Sequence, residues 1–229
     1  NPRPGLVPLE TKGSIAQQLQ KLNLRNVNVT VWVENKKVSE AFGELLFMHF
    51  GLSGPVILTL SRQIVASIQQ GRKVSVSIDL KPALNEQKLD ERLIRDLNAS
   101  GKKKLGNIFR GWLPSLMIPV FLEMLNLDRN KEAHQVNGKE RKSIRNLMKN
   151  FRFEVSGYRS FKEAIITSGG IALNEIDAKT MGSKLVKGLY FAGEVIDLDG
   201  DTGGYNLQIA FSTGWVAGDS AVKSLANEG

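Results

Sequence analysis

The sequence predicts a mixed α+β protein: a β-barrel-like unit with a helical subdomain inserted in it, followed by a strand–turn–helix unit. Three observations predict this. Val27, Val29, Val31 and Val33 alternate with Asn28, Thr30 and Trp32, the period of a half-buried strand. Residues 84–150 change to helical spacing. The stretch GLYFAGEVIDLDGDTGGYNLQIAFSTGWVAG, over 188–218, then passes from a short apolar run through a Gly- and Asp-rich loop to a helical pattern.

In chain order, Pro2, Pro4 and Pro8 come first. Proline cannot donate to a ladder, so this segment is expected as an extended connector or edge. Ser14 is placed to cap a short helix ending near Leu22. After the valine strand, Asn35-Lys36-Lys37 supplies a turn. Residues 41–50 return as its partner, with Gly43 a candidate bulge. Pro55 suits the first turn of a helix capped by Ser53 or Gly54. That helix would carry Val56, Leu60, Ile64 and Ile68 on one face and end at Gly71. Val74, Val76, Ile78 and Leu80 restore the period of two. Three strands cannot close into a barrel, and FRFEV at 151–155 is the candidate for a further one.

Residues 82–98 read as a charged amphipathic helix with Leu89, Leu93, Ile94 and Leu97 inward. Short helical patterns follow over 105–112 and 115–125, split by Pro114. Pro119 is expected to kink or divide the second. Gly138 precedes a helix over 139–150. A short strand over 163–167 ends at Ser168-Gly169-Gly170, and Ile171 and Ile176 flank a loop carrying Glu175. Leu189 to Ala192 suit a buried parallel strand. Beyond Asn206, Leu207, Phe211 and Trp215 lie four apart. Ala210, Gly214, Ala217, Gly218 and Ala221 make a second stripe that lets another backbone approach. The start of this helix, with free N–H groups and a positive dipole end, attracts electron-rich oxygens. Glu194 is placed to accept hydrogen bonds from hydroxyls.

Composition narrows the chemistry. The 229 residues are 41% apolar and hold no cysteine, which excludes disulfides, thiolate metal sites and cysteine nucleophiles. No apolar run reaches the roughly 18 residues of a membrane span, and no signal peptide opens the chain. A cytoplasmic location is expected. The opening Asn-Pro-Arg-Pro-Gly reads as text from inside a longer protein. Net charge is +8. Its excess concentrates in two runs, Lys102-Lys103-Lys104 and Lys139, Arg141, Lys142, Arg145, Lys149, Arg152. These suit a solvated helix face or contacts to phosphates.

The motifs exclude more than they assign. DLDGD, at Asp197, Asp199 and Asp201, lacks the EF-hand's sixth-position Gly and twelfth-position carboxylate, where Thr202 and Gln208 stand. No metal is expected there, and an acidic turn is. G-x-G-x-x-G, the Walker A loop and the G-x-S-x-G elbow are absent from these residues. His49, at the end of an apolar strand beside a Gly loop, is a candidate acid or base and equally a structural histidine. His134 lies in a polar stretch and is expected to be solvated.

The phrases PGLVPLE, GELLFMHFGLSGPVIL, TSGGIALNEID and TMGSKLVKGLYFAGEVIDLDGDTGGYNLQIAFSTGWVAG together resemble the HI0933-like, or aminoacetone-oxidase-like, NAD(P)/FAD-dependent bacterial flavoproteins. The resemblance spans nearly the whole chain. It implies a glutathione-reductase-like FAD domain interrupted by a large insert. Residues 1–14 would be the tail of the first FAD-domain segment. Residues 15–160 would be the insert, β-rich over 24–80 and 151–160 and helical over 84–150. Residues 161–229 would return into the FAD domain. It further implies that Glu194 holds a ribityl or pyrophosphate-side hydroxyl network and that Gly193 admits the cofactor closely. Gly203, Gly204, Tyr205, Asn206 and Leu207 would face the flavin ring, and Thr167, Gly169 and Gly170 would lie on the ring or substrate side. The implied activity is hydride transfer through flavin N5, with FAD as cofactor, NAD(P)H as a possible donor and a small-molecule substrate. The alternative is a flavin-dependent RNA-modifying enzyme, or a basic protein that binds RNA or another partner. The family's G-x-G-x-x-G segment is not in these residues, so the ADP half of FAD has no cradle here. This chain alone is expected to hold FAD poorly and to be inactive.

Overall fold

The computed structural model describes residues 1–226; residues 227–229 of the expected 161–229 segment lie outside them. The elements in order are β1 (Arg3–Gly5), β2 (Leu9–Thr11), α1 (Ile15–Gln18), β3 (Asn23–Val33), β4 (Lys36–Met48), β5 (Gly51–Ser53), α2 (Pro55–Gln69), β6 (Val74–Asp79), α3 (Glu86–Ser100), α4 (Leu105–Ile108), α5 (Met117–Met124), α6 (Gly138–Lys149), β7 (Phe151–Tyr158), β8 (Ile166–Ser168) and α7 (Tyr205–Ala226). The barrel closes in the order β2-β5-β4-β3-β6-β7, while β1 and β8 pair separately as an antiparallel two-stranded sheet.

The long hairpin β3–β4 is the barrel's frame. Its turn lies at Glu34-Asn35, just before the expected position, with φ of 48° and 62°. Positive φ at both central residues matches the twist of the flanking strands. The expected bulge lies on the partner strand. Leu24 faces Leu45 and Val27 faces Gly43, so Arg25 and Asn26 are the bulged residues opposite Glu44, one position from Gly43. The FRFEV segment becomes β7 and pairs with β6. Closure needs two strands that the sequence reading did not find. β2 joins β5 to β7, and β5 joins β2 to β4. The boundary expected after residue 14 therefore falls beyond a barrel strand. A three-residue strand is too short to show a period.

The barrel interior is apolar because alternate strand residues point inward. Val27, Val29, Val31 and Val33 are buried with Phe47, Val76, Ile78, Phe151 and Phe153. The rings of Phe151 and Phe153 meet edge to face at 4.7 Å, and Phe121 of α5 packs on Phe151 at 5.1 Å. One continuous core thus joins barrel and helical unit. On the outer face of β6, Ser77 accepts from Trp32 Nε1 at 2.8 Å. Ser75 accepts from Arg152, whose guanidinium lies 5.1 Å from the Trp32 ring.

The helical unit follows its capping residues. The Asn85 side chain accepts from Lys88 N–H at α3, and Asn137 and Glu140 form a reciprocal capping box at α6. Leu89, Leu93 and Leu97 are buried, but Ile94, expected inward, is 37% exposed. It lies off the stripe formed by the leucines. Pro119 does not kink α5. It is the third residue of the helix, where no N–H is needed, and α5 runs unbroken. Helix α1 stops at Gln18, short of Leu22, and Ser14 accepts from the Gln18 amide rather than from a backbone N–H.

The last segment departs most from expectation. The strand expected over 163–167 is shifted to β8. Leu189 to Ala192 form no parallel strand: Tyr190 makes one antiparallel bridge with Gly182, and Leu189 is 42% exposed. The segment's hydrogen-bonded neighbour is the antiparallel 181–183 loop, with Ser183 N–H donating to the Leu189 carbonyl and Phe191 N–H to the Met181 carbonyl. On α7 only Ala217 is buried; Ala210 and Ala221 are half-buried, Gly214 and Gly218 of the same stripe are exposed, and Leu207, Phe211 and Trp215 are 64%, 71% and 78% exposed. No helix among the described residues is long and apolar enough to cross a membrane.

Candidate functional site

Helix α2 places the site. Its Gly54 cap has φ 95°, and an added Cβ there would lie 2.9 Å from the Leu46 nitrogen. Val56, Ile57, Leu60 and Ile64 of α2 belong to the barrel core. On its other side Ser61 Oγ accepts from Val7 N–H at 3.1 Å, between β1 and β2. Arg62 Nε lies 2.9 Å from Asp199 Oδ2, and Arg62 Nη2 donates to Asp201 Oδ1 at 2.9 Å. The acidic turn is thus held to the barrel unit by one guanidinium.

The β8 end and the Gly169–Gly170 turn after it meet the 193–197 segment. Thr167 N–H donates to Glu194 Oε2 at 3.2 Å, and Ile171 N–H donates to the Val195 carbonyl at 2.8 Å. A Cβ on Gly170 would lie 2.2 Å from that carbonyl oxygen, and one on Gly169 2.4 Å from the Asn1 carbonyl oxygen. Gly193 N–H donates to Thr213 Oγ1 at 2.9 Å, which ties the segment to α7. Thr167, Gly169, Gly170, Gly193 and Glu194 therefore lie in one neighbourhood.

The remaining residues form the entry to α7. Gly203 and Gly204 have φ of 118° and 90°, and a Cβ on Gly204 would meet nothing within 4 Å. The loop therefore offers bare amides to open space, ahead of a helix whose first N–H groups have no intrahelical partner. Asn206 does not point outward. Its Oδ1 accepts from Gly200 N–H at 2.8 Å and its Nδ2 donates to the Gly200 carbonyl at 2.9 Å. It shapes the loop. Tyr205 and Leu207 are exposed. These features fit one face of a planar, electron-rich group such as the flavin that the resemblance implies: no side chain stands over Gly204, and a positive dipole end is presented.

Sequence reading missed Arg62 and Thr213. The signal for Arg62 was the acidic turn itself, since clustered carboxylates call for a counter-cation. His49 is exposed in the β4–β5 turn, its ring edge-on to Phe50 at 4.9 Å. Among the described residues it has no hydrogen bond to the 193–207 segment. His134 is exposed, as expected, with Nδ1 3.3 Å from the Gly101 carbonyl.

Comparison with known proteins places this geometry. The chain is 32% identical over 224 residues, 96% of its length, to the ribosomal RNA dihydrouridine synthase of Escherichia coli, covering 52% of that protein. It is 31% identical to the enzyme of the same name from Haemophilus influenzae, over 76% of this chain and 41% of that one. It is 25% identical to the 3-dehydro-bile acid delta(4,6)-reductase of Clostridium scindens, over 86% and 48%. The chain thus spans about half the length of these relatives. The family model described as HI0933-like protein barrel and H2TH domain matches residues 3–166, the barrel, the helical unit and β1. A closed barrel carrying an inserted helical unit, matched over most of its length, identifies this chain as a member of the HI0933-like family.

Proposed function

We propose that this chain is the barrel, helical and carboxy-terminal part of an FAD-dependent reductase that adds a hydride, and then a proton from solvent, across a carbon–carbon double bond conjugated with a carbonyl. The chemistry named for both kinds of relative is of this type. Dihydrouridine is uridine with its ring C5=C6 bond reduced, and a 3-dehydro delta(4,6) steroid is a conjugated dienone. The reading is carried by the Gly203–Gly204 entry to α7, the place where bare amides can lie against a ring.

When bound, the flavin supplies hydride from N5, received in turn from a reduced nicotinamide. The chain's own residues position and polarise. The first-turn amides of α7 offset negative charge that develops at the pyrimidine end of the ring. Asn206 fixes the loop that carries them. Glu194, already holding Thr167 N–H, orients hydroxyls of the ribityl side with its second oxygen. The ADP half requires a dinucleotide-binding segment outside these residues, and the exposed Leu207, Phe211 and Trp215 face is where we place that segment. We favour ribosomal RNA as substrate because the greater identity is to the RNA enzymes and the charge is +8.

The test uses the full-length protein with NADPH and in vitro transcribed ribosomal RNA. Digestion and mass spectrometry should find dihydrouridine, heavier than uridine by two hydrogens. A yellow protein that reduces a steroid dienone but leaves uridine untouched would move the substrate to the small-molecule class. A protein colourless after reconstitution with FAD would end the proposal.

A further inference from the structure

The two basic runs in the sequence are not equivalent in the fold. In the run over 139–152, four of the cations are already engaged. Arg141 pairs with Asp90 at 3.1 Å, and Arg145 pairs with Glu86 at 3.4 Å. Lys149 pairs with Asp79 and donates to the Lys81 and Leu84 carbonyls. Arg152 is spread over Ser75 and Trp32. These groups hold α6 and β7 to their neighbours, so this run is mainly structural.

The other run is different. Lys102, Lys103 and Lys104 form the turn between α3 and α4 and are exposed. Among the described residues, the side chains of Lys102 and Lys103 bond to nothing, and Lys104 reaches only Asn130, at 3.3 Å. Their backbone is not loose. Residues 101–106 are zipped to 128–134 by Leu105 N–H to the Lys131 carbonyl, Gly106 N–H to the Arg129 carbonyl, Ala133 N–H to the Lys103 carbonyl and His134 N–H to the Gly101 carbonyl. Lys104 and Glu132 form a bridge between the two loops. Arg129 lies across Gly106, where an added Cβ would be only 2.5 Å from its Cγ, and its guanidinium has no acidic partner among the described residues. The local acids are occupied. Asp128 accepts from Asn130 N–H, Glu132 faces His134, and Glu140 takes the charge of Lys131.

We infer that this zipped pair of loops, with Lys102, Lys103, Lys104 and Arg129, is an edge that binds the phosphate backbone of structured RNA. The inference rests on the RNA reading above. Unpaired cations on a fixed backbone meet a phosphate row with little ordering cost, and each phosphate neutralised releases counterions. Such contacts position the substrate without reading its bases.

The experiment measures binding of the full-length protein to transcribed ribosomal RNA across a salt series, for four proteins: wild type, a triple Lys102→Ala, Lys103→Ala, Lys104→Ala variant, Arg129→Ala, and Arg141→Gln as a variant of the engaged run. All should keep their bound flavin, and the triple variant its circular dichroism and melting temperature, since the loop lysines support no packing. The triple variant should bind about tenfold or more weakly near physiological salt, with a slope of log affinity against log salt shallower by about two to three. Arg129→Ala should lose about one contact's worth of slope, and Arg141→Gln none. Binding by wild type that the triple variant matches in strength and slope overturns the inference and leaves the RNA reading standing. Absence of wild-type binding at low salt, with flavin present, overturns both.

Discussion

Gly54 shows how much can rest on a missing side chain. Its φ of 95° starts α2 directly off β5, and the cap lies against the backbone of β4. Alanine there must adopt a conformation that L-residues avoid, in a space bounded by backbone that cannot yield. Gly54→Ala should lower unfolding free energy by about 1–3 kcal/mol, read from the midpoint of a urea titration. Glu140 illustrates charge at the same scale. Burial pushes its carboxyl up, but Lys131 and the Asn137 N–H together hold it below its ordinary 4.5. A depressed carboxylate stabilises the fold fully above its unfolded value and loses that contribution as pH falls through the folded one. Stability should therefore decline below about pH 4.5. Glu140→Gln, which keeps the reach of the capping box, should make that acid decline shallower. A melting temperature with the same acid dependence in both proteins would remove Glu140 from the account.

At the scale of elements, caps and faces decide what holds. The Asn137 cap satisfies Lys139 and Glu140 N–H groups that otherwise lack partners. Asn137→Ala should cost about 1 kcal/mol of stability, measurable by chemical denaturation. Helix α7 presents the opposite case. Ala217 is its buried residue among those described, and its bulky residues Leu207, Phe211, Trp215, Val222 and Leu225 are all exposed. These 229 residues expressed by themselves should bind a hydrophobic dye and self-associate. Phe211→Ser with Trp215→Ser should suppress both without lowering the melting temperature. Unchanged light scattering by that pair would place the adhesive surface elsewhere.

At the scale of the whole molecule, α2 links barrel and candidate site, with Arg62 as its terminal grip on the acidic turn. Arg62→Met should leave the melting temperature of the full-length protein nearly unchanged, because each pair is partly solvated. It should speed flavin release several-fold, read as fluorescence recovered on dilution, because the 199–206 loop loses its anchor. Release at the wild-type rate would show that Asn206 alone suffices to shape that loop. The reach of the sequence reading follows the same division of scale. Alternating valines marked β3, Pro55 and Gly54 marked the start of α2, and the glycine pairs marked the positive-φ turns of the candidate site, because each is a local property of the backbone. Neither β2 nor β5 was legible, since three residues carry no period and only barrel closure gives them partners. Which face of α7 turns inward was not legible either, since its bulky and small stripes both repeat at helical spacing and only packing buries Ala217. By itself the sequence determined the alternation of strand and helix, the exclusion of thiol chemistry and the bare-amide loop before α7. Tertiary structure alone decided which cations are engaged and which acids hold Arg62, for charge pairing depends on distances between residues far apart in the chain.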